Sequence, residues 1–168
     1  MIKLPKHVQI EEIPLEAMYR GVLRGLLTRI KVLYEAIYNR YGDDGLDLIK
    51  EVSEQYGNEI AKRVRGNDEP WNIDKVGLFL VKVFNNMRAE GEVIEFGKDR
   101  VSIMVPKCPY PFKDKQICAA HTSMECALVK GLNPDLEYII EKSVPAGDPY
   151  CLHVLTLKSK HFRNGNEV

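Results

Sequence analysis

Between Cys108 and His121 the chain places two thiols and an imidazole in the segment "CPYPFKDKQICAAH", and a further pair, Cys151 and His153, follows in "YCLHV". Thiolates and imidazoles are the usual ligands of borderline divalent metals, and a thiol beside an imidazole makes an activated nucleophile. Cys108, Cys118, His121 and Cys151 together would supply three sulfurs and one nitrogen, a tetrahedral set suited to zinc or another divalent metal. Their spacing is not that of a standard zinc finger. The same residues also permit covalent chemistry: Cys118 or Cys151 as nucleophile, His121 as proton shuttle, and Glu125 or Asp148 orienting the imidazole. A third reading treats each thiol as a small buried apolar side chain. The sequence leaves all three open.

Periodicity places these residues on elements. On a helix beginning near Lys115, Cys118 and His121 lie three apart and Glu125 falls between them in projection, so the three share one face. Cys126 points elsewhere and reads as apolar filling. On a strand over Tyr150–Lys158, Cys151 and His153 share one face with Leu155 and Leu157. If that face packs on the helix, Cys108, Cys118, His121, Cys151 and His153 converge, with Glu125 near. Asp148, in a Gly-Asp-Pro turn, suits bonding to its own turn backbone.

Three helices precede these elements. From Leu15, apolar residues recur in steps of three or four through Met18, Val22, Leu26, Ile30, Leu33, Ile37 and Tyr41, a stripe on a helix about 40 Å long. A second line through Tyr19, Leu23, Leu27, Tyr34 and Tyr38 widens it, predicting either a thick intrachain core or burial against both the domain and a second copy, a homodimer through the N-terminal helices. Gly21 and Gly25 hint at close helix packing. Asp43 or Asp44 can cap a second helix, whose basic end "AKRVR" complements the helix dipole. Asn72 caps a third, with Ile73, Val76, Leu80, Phe84 and Met87 inward. "EVIEF" and "RVSIMVP" then alternate with period two as a hairpin. After the Lys115–Lys130 helix, stopped by Gly131 and Pro134, the strands Leu136–Lys142 and Tyr150–Lys158 complete a four-stranded meander. The fold class is α+β: a helical N-terminal half packed on a four-stranded antiparallel sheet, hairpin–helix–hairpin. Residues 1–158 read as one domain and 159–168 as a flexible tail.

Lys+Arg and Asp+Glu are equal at 24 each, so no basic excess argues for nucleic acid. No apolar run is long enough for a membrane span, and the N-terminus, broken by Pro5 and Pro14, is no signal peptide. A cytoplasmic protein is expected, whose four cysteines are thiols rather than disulfides.

"CPYP" after a strand, a Cys/His-bearing helix running into "KGLNPDLEY", and "PAGDPYCLHV" resemble the L-2-amino-thiazoline-4-carboxylic acid hydrolase-like family and, more distantly, the 4-vinyl reductase-type small-molecule-binding domains. The resemblance covers Cys108 to about Val154. It implies helices first and then hairpin–helix–hairpin, cysteines at the positions of Cys108 and Cys151, and polar residues near His121 and Glu125. It further implies a hydrolase opening a small cyclic amidine, with Cys118, His121 and Glu125 catalytic and no organic cofactor. The alternative expectation is a noncatalytic domain that binds a small molecule or metal through the same cluster.

Overall fold

The structure, a computed structural model, describes residues 12–158; the expected tail lies outside them. Four helices, α1 (Leu15–Tyr41), α2 (Asp43–Arg65), α3 (Ile73–Asn86) and α4 (Lys115–Leu132), join four strands, β1 (Glu92–Phe96), β2 (Arg100–Val105), β3 (Leu136–Lys142) and β4 (Cys151–Leu157). The expected α+β class is what the chain adopts.

Local chemistry sets the boundaries. Asn72 accepts the Lys75 amide at 2.9 Å and starts α3. Asp114 accepts the amides of Gln116 and Ile117 and starts α4. Lys62, Arg63 and Arg65 occupy the last turn of α2, where positive charge opposes the helix dipole. The expected aspartate cap of α2 is replaced by Gly42, which stands alone between α1 and α2 at φ +58°; Asp43 and Asp44 fall in the first turn instead. Gly131 is not a helix stop either. It lies within α4, where an added Cβ would come to 2.5 Å from the Ala61 Cβ of α2.

That approach is general along the α2–α4 seam. Gly45, Ile49, Ser53, Gly57 and Ala61 are the buried residues of α2, one every fourth position, and all but Ile49 are small; Gly45 faces Ile37 of α1, and Gly57 and Ala61 face α4. A Cβ on Gly57 would collide with the Met124 carbonyl oxygen. Within the chain Gly21 and Gly25 mark no such approach, since a Cβ at either meets nothing within 4 Å.

All strand pairings are antiparallel, in the order β1-β2-β4-β3. This corrects the expected meander: β4 inserts between β2 and β3. The α4 crossover returns the chain so that β3 runs parallel to β2, and β4, turning back at a 3-10 turn over Val144–Ala146, pairs with both. Register puts Val105, Ile103 and Val101 opposite Cys151, His153 and Leu155, and Tyr138 and Ile140 opposite Leu155 and His153. This row packs against Val76, Leu80 and Phe84 of α3 and Leu128, Val129 and Leu132 of α4, forming the core. Leu27 is the one buried residue of α1, so the long stripe of the first helix is not core.

Candidate functional site: an apolar cavity at the thiol cluster

Above the Cys151 end of this sheet face, α3, α4 and the Cys108–Phe112 segment enclose a cavity of about 180 Å³. Its wall includes Leu80, Val83, Phe84, Val105, Leu128 and Ile140, and also Cys108, Cys118, His121, Glu125, Cys151 and His153. The convergence expected from sequence is therefore present: all six side chains line one hollow.

Their mutual geometry is not that of a metal centre. Among the described residues, no group of three or more His, Cys, Asp or Glu side chains is arranged to hold a metal ion. Both ring nitrogens of His121, and Oε2 of Glu125, are buried without a hydrogen-bond partner. His121 is surrounded instead by aromatic rings: Tyr110 at 4.2 Å, Phe112 at 5.2 Å and Tyr34 at 5.8 Å between centroids. Tyr110 and Phe112 stack at 5.5 Å and 1°, and Phe112 stacks on Tyr34 of α1 at 5.9 Å and 4°. Three parallel rings thus cover one end of the cavity.

Burial controls the protonation of this end. Desolvation lowers the His121 pKa to about 4 and raises that of Glu125 to about 8, because each loses hydration in its charged form. Both are uncharged at neutral pH. Desolvation, aided by the charge at Cys151, also raises the Cys118 thiol to about 11. The expected Cys118–His121 dyad is thus absent: its thiol stays protonated and its imidazole makes no hydrogen bond to it.

Cys151 differs. Its sulfur accepts the Val144 backbone N–H at 3.4 Å, and the Cys108 thiol and the His153 ring act on it as further donors. These donors favour the thiolate, so the Cys151 pKa falls while its partner Cys108 holds its proton more tightly. His153 is fixed through Nδ1 by the Tyr138 hydroxyl at 2.5 Å and lies 4.7 Å from the Phe84 ring. Asp148 bonds its own turn, its carboxylate accepting the Ser143 amide at 2.8 Å, and orients no imidazole. Cys126 lies exposed, its thiol 3.8 Å from the Tyr138 carbonyl oxygen, and is not the apolar filling its helix phase suggested.

Sequence reasoning found the cluster but missed the α3 wall and the aromatic cover. The signal for the cover was the alternation of aromatic and proline in "YPF" beside Cys108; a ring at every second position can present one face in an extended segment.

No family model matches the chain, and no curated protein matches it. Among solved structures it is similar to a trafficking protein particle complex subunit 3 from Naegleria fowleri, covalently bound to palmitic acid. The TM-score is 0.60 and identity 13%, over 83% of this chain and 96% of that one. At that identity the likeness shows the fold. A trafficking-complex subunit does not fit the hydrolase assignment, and the absent ligand geometry overturns the metal-binding and zinc assignments, including the set Cys108, Cys118, His121 and Cys151.

Proposed function

We propose that this protein is a noncatalytic small-molecule-binding domain that encloses an apolar ligand in the cavity between α3, α4 and the sheet. The observation that carries this reading is the cavity itself, about 180 Å³ walled by hydrocarbon and aromatic side chains around unpartnered polar atoms. Apolar cavities of about 150 Å³ accept a benzene-sized guest. A single ring or a short alkyl chain therefore fits, and a chain as long as palmitate, the adduct of the structural relative, exceeds the space. The resemblance to 4-vinyl reductase-type small-molecule-binding domains agrees with this use of the pocket. So do the free thiols lining it, which suit a reducing compartment such as the cytoplasm.

The test is calorimetric titration with toluene, on the wild type and on Ile140→Trp, whose indole would occupy the cavity. Saturable binding of one toluene per chain, lost in the variant, is the expected result. Absence of binding to the wild type would refute the proposal.

A protein partner is the second element of this reading. Leu15, Met18, Val22, Leu26 and Leu33 are 50–74% exposed along α1, and they recur at helical spacing as one stripe. We infer that a second copy covers this stripe; the neighbour's membership of a complex favours a protein partner in general. Among the described residues, no helix is long and apolar enough to cross a membrane.

A further inference from the structure

The cavity is not uniformly greasy. At one end of it His121 is 5% exposed and Glu125 8% exposed, and His121 Nδ1 and Nε2 and Glu125 Oε2 have no partner among the described residues. Buried polar atoms in folded proteins are almost always hydrogen-bonded, and each one left unpaired costs stability. His121 and Glu125 are one helical turn apart on α4, so their side chains are neighbours. They stand where the cavity meets the rings of Tyr110 and Phe112. Three unsatisfied atoms at one end of an otherwise apolar hollow are the arrangement of a site that orients an amphiphile, with a few polar groups fixing the head of a ligand whose body is apolar.

Resting on the small-molecule reading above, we propose that His121 and Glu125 form a head-group subsite for an uncharged ligand group that both donates and accepts hydrogen bonds, such as a carboxamide or a hydroxyl. A neutral imidazole offers one donor and one acceptor, and a protonated carboxyl offers a donor and an acceptor. A carboxamide on a one-ring body meets both. A charged head fares worse at this end, because neither His121 nor Glu125 in its neutral form offers a countercharge to offset the desolvation. Burial holds both side chains in their neutral forms near pH 7, which agrees with the selection of an uncharged partner.

The test compares benzamide, benzoate, benzylammonium and toluene by calorimetry or by shift of the unfolding temperature, on the wild type and on the double variant His121→Phe, Glu125→Leu. The expected result is that benzamide binds at least tenfold more tightly than benzoate or benzylammonium. In the double variant, benzamide affinity should fall about tenfold or more while toluene binds as before, which also shows that the variant is folded. Equal or tighter binding of a charged ligand, or unchanged benzamide affinity in the double variant, would overturn the subsite and leave the apolar pocket standing. If none of the four binds to the wild type, the pocket reading fails, and the subsite with it.

Discussion

Replacing Glu125 by Gln tests the electrostatics of the cavity through its effect on stability. Glu125 is buried on α4 and its pKa is raised from 4.5 to about 8 by desolvation. A carboxyl with a raised native pKa binds its proton more tightly when folded. Its contribution to stability is therefore fully present below pH 4.5 and is lost as pH rises, down to nothing above about 8. Each pH unit in that window removes about 1.4 kcal/mol, roughly 5 kcal/mol in all. Gln keeps the shape and cannot ionise, so the loss should vanish in the variant. His121 acts in the opposite sense: its native pKa of about 4, against 6.5 ordinarily, removes stability as pH falls from 6.5 toward 4. The two slopes cancel between about pH 4.5 and 6.5, so the wild type should show a plateau there and a decline from 6.5 to 8. Urea unfolding, followed by circular dichroism from pH 4 to 8.5, measures both proteins. The stability of Glu125→Gln relative to wild type should increase by several kcal/mol between pH 5 and 8, whatever its offset at pH 5 from the buried amide. Parallel curves for the two proteins would refute the burial argument.

Other outcomes follow from the same geometry. Cys108→Ala removes the thiol beside Cys151 that lowers its pKa, so alkylation of Cys151 by iodoacetamide at pH 6 should slow about tenfold, read by peptide mass mapping; an unchanged rate would show that Cys108 does not stabilise the thiolate. Gly57→Ala places a methyl against the Met124 carbonyl oxygen and should destabilise by about 1–3 kcal/mol despite alanine's better helix propensity. Gly21→Ala, with open space around it, should stabilise by up to about 1 kcal/mol. Leu26→Glu on the exposed α1 stripe should convert a dimer into a monomer in sedimentation velocity at micromolar concentration, and a monomeric wild type would remove the pairing surface.

The elements were legible because their signals are local. Strand β3 matches the alternation in "LEYIIEK", and Asn72 caps α3 through an amide only three residues away. The meeting of Cys118, His121 and Cys151 was legible too, since helix phase and strand alternation already place each on an inward face, with Cys108 just past the end of a strand. What periodicity could not reach was distance. Same-face residues on α4 and β4 line one cavity, yet nearby hydrocarbon and aromatic rings keep the His121 nitrogens from any sulfur. Strand order was equally hidden, because Leu136–Lys142 reads the same whether it lies at an edge or between neighbours. The α1 stripe looked like core from its width alone, and only the packing of α2 on α4 through Gly57 and Gly131 shows that the interior is completed without it.

The most direct test of an apolar binding cavity is a methyl NMR titration with benzamide. Methyl signals of Leu80, Val83, Val105, Leu128 and Ile140, all lining the hollow, should move together with a single saturation curve, while Ile49 and Leu136, buried elsewhere in the fold, stay in place. Shifts spread over the exposed α1 stripe, or no shift at saturating ligand, would contradict the account.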